Sequence, residues 1–210
     1  IIRICKKNNI LHLFLGHHFD DNLETYLMRK INGSNLDGLE SINKTAYFKN
    51  IQIFRPLIEI NKKSILNFNK KNKLNFISDP SNKDLNYTRV KLRNFLQINK
   101  YKREIEKDFL NIKKQIPNYK KMIWETLIDN LINVSATQIK ISLKILKLDD
   151  LIIEKHILCL LKFFNKNKAQ TKSSKIIILM DSLRKPSFKT FNLSGIIIKK
   201  NSDFLTFSQK

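Results

Sequence analysis

The amino-acid sequence predicts an α/β fold with a parallel sheet, followed by a helical region and a small α+β domain at the C-terminus. In the first third of the chain, short apolar runs alternate with segments of helical periodicity. The pattern becomes helical and strongly charged from Thr88 onward, and beyond Asn133 short apolar and basic segments alternate. These changes predict a domain boundary near residue 130 and two domains, residues 1–130 and 131–210.

A strand followed by a helix is predicted at the start of the α/β region. Residues 11–15 form a short apolar run that ends at Gly16. Apolar residues then recur at helical spacing, so we expect a helix that extends to Lys30. The loop-forming residues 32–35 end this helix.

Two more strands and a helix are expected further along this region. The apolar run 51–54 ends before a proline, which cannot continue a central ladder. Asn61 is the expected N-cap of a helix over residues 62–71, and residues 74–77 form a further apolar run. Strands that alternate with helices in this way are typical of a unit with parallel pairing.

Two helices are expected in the charged region, because Pro117 lies within it and proline disrupts a helix interior. Trp124 begins a set of apolar residues at helical spacing, which is typical of a buried helix face. The other members of this set are Leu127, Ile128 and Leu131. We therefore expect all four side chains in a core.

The C-terminal region is expected to contain two helices and a hairpin. Residues 151–164 indicate an amphipathic helix, and residues 174–185 indicate a second one. The apolar run 176–179 fits a strand equally well, because a short run does not settle its own period. The expected strands of a terminal hairpin are residues 191–198 and 203–207.

The chain is strongly basic, since 40 Lys and Arg residues against 18 Asp and Glu give a net charge of +22. A field of this sign attracts polyanions, so nucleic acid is the expected partner. The chain is also rich in Lys, Asn and Ile, which AT-rich codons favour in any protein. Charge alone does not distinguish the two causes.

The apolar and cysteine patterns argue against several classes of protein. Every apolar run is shorter than the ~18 to 20 residues that cross a bilayer, so membrane insertion is not expected. Cys5 and Cys159 lie far apart and outside any CxxC motif, which argues against a disulfide scaffold and a zinc site. The first residues include neither an initiator Met nor a signal-peptide pattern. We therefore expect a protein of a reducing compartment whose chain begins inside a longer polypeptide. The sequence leaves open whether the protein forms a homodimer.

The segment from Gly16 to Thr25 carries the residues best suited to chemistry. It lies where the first strand is expected to end and a helix to begin, which is where ligands bind in open α/β sheets. If the helix begins near His17, then Asp21 and Glu24 lie four and seven residues on, and the three side chains share one face. The carboxylates could hold Mg²⁺ or an amine, and the imidazole could move a proton or steady a phosphate.

A structural role explains the same pattern. Asp20, Asp21 and Glu24 would favour the positive end of a helix dipole, as acidic first turns do in many proteins. Spacing alone leaves the two interpretations open. Similarly, Asp79 and Asn82 could reach the rim of a site, although their Asp-Pro-Ser-Asn sequence is also an ordinary turn.

Basic residues further along the chain fit contacts with phosphate. Arg89 and Arg93 are four residues apart and share a helical face. A solvated helix face is the alternative. With Lys91, Lys102 and Arg103 they predict a surface that contacts the backbone of RNA.

Four ordered motifs resemble those of the tRNA(Ile)-lysidine synthetases, which belong to the N-type ATP pyrophosphatase superfamily. The segment from Gly16 to Thr25 matches their HHxDDxxET block and continues into Leu27-Met28-Arg29 and Gly33-Ser34. The later motifs, in the order and at about the spacing of the family, are Phe54-Arg55-Pro56-Leu57, Asp79-Pro80-Ser81-Asn82 and Tyr87-Thr88-Arg89. The resemblance covers roughly residues 1–115, and four ordered blocks are hard to obtain by chance.

The resemblance implies a cytoplasmic protein with an incomplete Rossmann-like sheet of the N-type ATP pyrophosphatase kind and a ligase reaction. ATP, with Mg²⁺, would adenylate C2 of the wobble cytidine in tRNA(Ile) with a CAU anticodon. The amine of L-lysine would then displace AMP and give lysidine. Residues 131–210 would help to bind the tRNA.

The resemblance also implies roles for individual residues. The catalytic group would be His17, Asp21, Glu24 and Arg89. Its carboxylates would bind the lysine amine or Mg²⁺, with Asp21 as the candidate metal ligand. The substrate-binding group would be Arg29, Arg55, Asp79 and Asn82. The tRNA-binding group would be Lys91, Arg93, Lys102 and Arg103.

Some features depart from the family pattern. The SGGxDS loop, a phosphate cradle, is absent from these residues, so the chain as given is not expected to hydrolyse ATP. The basic residue common before Gly-Ser is Asn32 here. A related tRNA thiolase and a non-catalytic basic RNA-binding protein are the alternatives. A thiolase would need cysteines at its site, and neither Cys5 nor Cys159 is placed for that role.

Overall fold

The computed structural model describes residues 1–48, 50–77, 84–164 and 173–209. The chain divides into two compact units, Ile1–Pro117 and Asn118–Lys210. The expected boundary near residue 130 lies further along, at the end of a helix that begins in the first unit and continues into the second. The assignment of catalysis to residues 1–130 and of tRNA binding to residues 131–210 stays a prediction.

The first unit is built around a three-stranded sheet. Its elements are α1 (Ile2–Lys7), β1 (His12–Phe14), α2 (Phe19–Ile31), α3 (Leu36–Leu39), β2 (Thr45–Phe48), β3 (Ile51–Phe54), α4 (Lys62–Lys71), α5 (Thr88–Leu96) and the first part of α6 (Asn99–Asn130). The strand order is β1-β3-β2, with β1 parallel and β2 antiparallel to β3. The α/β class and the parallel pair are confirmed, whereas the sequence gives no sign of β2.

The expected strand at residues 74–77 is wrong. These residues are irregular in the structure, and Leu74, Phe76 and Ile77 are 52, 55 and 97% exposed. A strand needs a neighbour with which to pair, and neither outer strand of the sheet, β1 or β2, pairs with these residues. An apolar run alone therefore did not suffice to form a strand here.

Helix α2 is the core element of the first unit. Its inner face buries Leu23, Tyr26 and Leu27 against Leu96 of α5 and Phe109 of α6. The ring centroids of Tyr26 and Phe109 are 5.0 Å apart. This packing fixes α2, and with it the segment that precedes α2, against the two later helices.

Helix α6 corrects two of the sequence-based expectations. It is one helix of 32 residues that contains Pro117, and the break comes earlier, between α5 and α6. Ile116 and Ile123 are buried on either side of the proline, which offsets the loss of one backbone hydrogen bond. Trp124 and Ile128 are 55 and 61% exposed, so the expectation that they are core residues is wrong.

The second unit combines the end of α6 with a five-stranded antiparallel sheet and two helices. Its elements are β4 (Leu131–Val134), β5 (Gln138–Ser142), a 3₁₀ helix (Leu143–Lys147), α7 (Asp150–Phe164), α8 (Ser173–Leu183), β6 (Thr190–Leu193), β7 (Ile196–Lys200) and β8 (Phe204–Gln209). The strand order is β4-β5-β8-β7-β6. The two predicted helices are confirmed, and the ambiguous run 176–179 is helical. None of the described helices is both long and apolar enough to cross a membrane.

The terminal hairpin is more elaborate than the sequence suggests. The expected hairpin corresponds to β7 and β8, but residues 191–198 are divided by a tight turn at Ser194 and Gly195. Both turn residues have positive φ, 55° and 81°, as a two-residue hairpin turn of type I′ requires. The result is an additional strand, β6, at the edge of the sheet.

His156 is a fully buried polar residue of α7 in the second unit. Its Nε2 atom lies 2.9 Å from the Ile123 carbonyl oxygen and 3.1 Å from Thr126 Oγ1. Burial lowers the pKa of His156, and the carbonyl only partly opposes this shift. The imidazole is therefore neutral at pH 7 and has a structural role.

We predict that His156 makes the protein less stable in mild acid. Because its folded-state pKa is lowered, the unfolded chain takes up a proton below about pH 6.5 that the folded chain resists, and stability falls with pH. In urea unfolding, His156→Gln should show a shallower loss of unfolding free energy below that pH than the unmodified chain. His12→Gln, at an exposed histidine, is the control and should retain the original pH dependence. Identical pH profiles for His156→Gln and the unmodified chain would contradict this prediction.

Candidate active site

The first turn of α2 is fixed by a reciprocal pair of hydrogen bonds. His18 is the N-cap residue, and its Nδ1 accepts a hydrogen bond from the Asp21 N–H at 3.3 Å. The Asp21 Oδ2 accepts one from the His18 N–H at 3.0 Å. Such a capping box satisfies two backbone donors at the helix end. Helix α2 therefore begins at Phe19, and His17 lies in the loop that precedes it.

Asp20 connects α2 to two other helices. Its Oδ2 accepts a hydrogen bond from the Lys62 N–H, at the start of α4, at 2.7 Å. Its Oδ1 accepts one from Lys102 Nζ, on α6, at 3.0 Å. Burial would raise the pKa of Asp20, but the hydrogen bonds from Lys62 and Lys102 lower it below its ordinary value. The sequence alone assigns Asp20 no role in the site, although its position directly before Asp21 could have indicated one.

His17 and Arg55 reach the same edge of the sheet because they follow two parallel strands. His17 follows β1 and Arg55 follows β3 directly, and β1 and β3 are parallel neighbours. The carboxyl ends of parallel strands meet at one edge, where ligands bind in open α/β sheets. The Arg55 side chain is held there by a hydrogen bond of 2.8 Å from Nη1 to the Asn43 carbonyl oxygen.

Three of the predicted site residues act electrostatically on the His17 imidazole, namely Asp21, Arg55 and Arg89. Burial lowers the pKa of His17, the Asp21 carboxylate opposes the shift, and the charges of Arg55 and Arg89 add to it. The Arg89 side chain is exposed and belongs to the first turn of α5. We call His17, Asp21, Arg55 and Arg89 the His17 cluster. Its imidazole is neutral near pH 7 and is free to act as a base.

Two buried polar atoms of the His17 cluster lack a hydrogen-bond partner. They are His17 Nδ1 and Arg55 Nε, and the statement holds for the residues that the structure describes. Buried polar atoms in folded proteins nearly always have a partner. The pair is therefore available to a polar ligand, and the positive charge of the two arginines favours an anionic one.

Glu24 is bound by a cation. The buried carboxylate, 2% exposed, accepts hydrogen bonds from Arg93 Nε at 2.7 Å and from Arg93 Nη2 at 3.2 Å. Glu24 in turn raises the pKa of the guanidinium. A cavity of about 350 Å³ beside this pair is lined by Asp20, Glu24, Lys62, Arg93, Leu96, Gln97 and Lys102. The predicted catalytic role of Glu24 and the predicted RNA contact of Arg93 thus concern two side chains that bind each other.

The remaining predicted site residues lie in several places. Arg29 Nη1 donates to the Gly38 carbonyl oxygen at 2.6 Å and to that of Ser41 at 3.2 Å, and so holds α3 and the loop after it. Lys102 pairs with Asp20 and lies 3.7 Å from Glu106. The side chains of Lys91 and Arg103 are exposed. Asp79 and Asn82 lie outside the described residues.

Comparison with known proteins assigns a family to this site. Residues 1–100, which include the whole His17 cluster, match the model of the PP-loop domain family. A tRNA(Ile)-lysidine synthase of Wolbachia pipientis is 42% identical over 93 residues, 44% of this chain and 22% of that protein. The N-terminal region of this chain belongs to the tRNA(Ile)-lysidine synthase family.

Longer but weaker similarity extends into the second unit. The tRNA(Ile)-lysidine synthase of Francisella tularensis is 34% identical over 170 residues, 79% of this chain and 41% of that protein. The one of Mycoplasma mycoides is 29% identical over 181 residues, 83% of this chain and 42% of that protein. The chain thus spans less than half the length of these members of the family.

We predict that the Glu24–Arg93 pair is needed for stability because the carboxylate is buried. Arg93→Met would leave the carboxylate without its cation, a loss that typically costs about 3–5 kcal/mol. Urea unfolding should show this loss for Arg93→Met and a partial recovery for the double variant with Glu24→Gln. The control is Arg3→Met, at an exposed arginine of α1. Equal stabilities for Arg93→Met and Arg3→Met would show that the pair does not stabilise the fold.

Proposed function

We propose that this chain is part of an enzyme that ligates L-lysine to C2 of the wobble cytidine in tRNA(Ile) with a CAU anticodon. The observation that carries the proposal is the His17 cluster, with two unsatisfied buried polar atoms, inside a domain that matches the PP-loop family. The curated relatives are tRNA(Ile)-lysidine synthases by name. An ATP-dependent tRNA-modifying ligase is the function that these findings support together.

In the proposed reaction, ATP activates the base and lysine replaces AMP. The cytosine oxygen at C2 attacks the α-phosphorus of ATP, pyrophosphate leaves, and an adenylated base results. The lysine amine then attacks C2, loses a proton, and AMP departs with the C–O bond electrons. Negative charge grows on phosphate oxygens in the first step and on AMP in the second, so both steps need cations.

The residues of the His17 cluster suit these needs. Arg55 Nε, buried without a described partner, and the exposed guanidinium of Arg89 would offset charge on phosphate. The neutral imidazole of His17 would take the proton that the lysine amine loses. Asp21 would hold Mg²⁺. Its carboxylate already accepts the His18 N–H, so its orientation is set before a substrate arrives.

Few protein side chains would coordinate Mg²⁺. The described residues contain no group of three or more His, Cys, Asp or Glu that could hold a metal ion. Mg²⁺ at nucleotide sites typically uses one or two carboxylates together with phosphates and water. Asp21 is the ligand that we propose, and the ion would neutralise phosphate charge.

A lysine-incorporation assay tests the proposal. The full-length product of the gene should transfer labelled lysine to tRNA(Ile) in the presence of ATP. His17→Gln should slow incorporation by roughly 10²- to 10⁴-fold, the usual contribution of a proton-transfer residue, and leave tRNA affinity nearly unchanged. His12→Gln, at an exposed position of β1, serves as the matched control with unchanged activity.

One outcome would overturn the proposed reaction, and another would change the role of His17. Binding of tRNA without any incorporation of lysine would favour a non-catalytic RNA-binding protein. Loss of tRNA binding in His17→Gln, with a normal rate once tRNA is saturating, would move His17 from proton transfer to substrate binding.

A further inference from the structure

An apolar cavity lies among α2, α5 and α6 of the first unit, and none of its lining residues belongs to the His17 cluster. Its volume is about 500 Å³. It is lined by Leu27, Ile31, Leu92, Phe95, Tyr101 and Ile105, with Glu104 as the charged member. None of these residues has a part in the proposed lysine transfer, so the cavity needs an explanation of its own.

Two aromatic rings form an exposed stack at this cavity. Phe95 lies near the end of α5 and Tyr101 near the start of α6. Their ring centroids are 5.2 Å apart and the ring planes differ by 16°. Both residues remain well exposed, Phe95 at 41% and Tyr101 at 44%. A parallel aromatic pair with free surface is suited to bind another flat ring.

The charge around the stack suits RNA. Residues 85–103 contain six Lys and Arg and no Asp or Glu. Two of the six, Arg93 and Lys102, pair with Glu24 and Asp20. The other four are exposed, namely Arg89, Lys91, Lys100 and Arg103. Cations interleaved with exposed aromatic rings are typical of surfaces that bind unpaired nucleic acid, where cations hold the backbone and rings stack on bases.

The cavity itself suits a base more than a phosphate. Its lining is apolar apart from the Glu104 carboxylate, which would repel phosphate. A base inside a duplex is stacked on both faces by its neighbours, whereas a base in a loop has a face that can stack on a protein ring. The expected occupant is therefore an unpaired base of an RNA loop.

We propose that Phe95 and Tyr101 form a stacking platform for an unpaired base of the RNA substrate. Lys91, which precedes Phe95 on α5, and Lys100, which adjoins Tyr101 on α6, would hold the flanking phosphates. The platform would lie outside the lysine-transfer site, and it rests on the proposed action on tRNA. It would select RNA with an accessible loop and fix the position of that loop relative to α2.

Binding measurements with single-stranded and fully paired RNA of equal length, at one salt concentration, test the platform. Phe95→Leu and Tyr101→Leu keep the cavity apolar but remove an aromatic face. Each should weaken single-strand binding roughly tenfold and leave duplex binding unchanged. Tyr101→Phe keeps the ring and should retain the affinity. Phe163→Leu, at an exposed aromatic residue of α7, is the matched control.

A fluorescent base analogue in the single strand gives an independent measure, since stacking on an aromatic ring quenches its emission. Quenching should be lost in the two leucine variants and kept in Tyr101→Phe. Unchanged affinity and quenching in the leucine variants would overturn the platform, and so would an equal loss for single strands and duplexes. If Phe95→Leu abolishes self-association of the protein without an effect on RNA affinity, the occupant of the cavity is a second copy of the chain. That result would overturn the platform as well. If the unmodified full-length protein binds no RNA, the proposed function fails as well.

Discussion

The position of α2 depends on carboxylates that each bind a different partner. Asp21 closes the first turn of its own helix, Asp20 binds the start of α4 and a lysine of α6, and Glu24 binds Arg93 of α5. In a chain of net charge +22, these carboxylates also neutralise cations that would otherwise repel one another. His17 is placed as a consequence, because it immediately precedes the helix that they hold.

The functional and structural interpretations of the His-Asp-rich segment are therefore compatible. Asp20 and Asp21 do stabilise helix ends, as an acidic first turn would without any catalytic role. The same contacts leave His17 beside Arg55 and Arg89, with buried polar atoms that lack a described partner. A motif of this kind can persist for architecture and chemistry together, and the loss of one carboxylate would affect both.

Local signals explain which parts of the fold and site could be predicted. The capped start of α4 and the strand-to-helix passage at β1 depend on neighbouring residues, and both are confirmed. Strand β2 and the exposure of Trp124 depend on which surfaces meet in three dimensions, which a single sequence does not encode locally. Likewise, His17 and Arg55 reach the same edge of the sheet because their strands are parallel neighbours. The pairing of Glu24 with Arg93, 69 positions away, has no local signal in the sequence.

The exposed Trp124 also determines how the molecule can be observed. It is the single tryptophan of the chain, lies in the second unit, and is 55% exposed in the folded protein. The wavelength and intensity of indole emission depend on contact with water. Because the Trp124 side chain already contacts water in the folded protein, unfolding will change both only slightly. The first unit, which holds the His17 cluster, contains no such reporter, and its Tyr26 is buried with its hydroxyl bound to Asp108. Circular dichroism reports on all helices, including those of the candidate site. It will therefore detect an unfolding of the first unit that tryptophan fluorescence hardly registers.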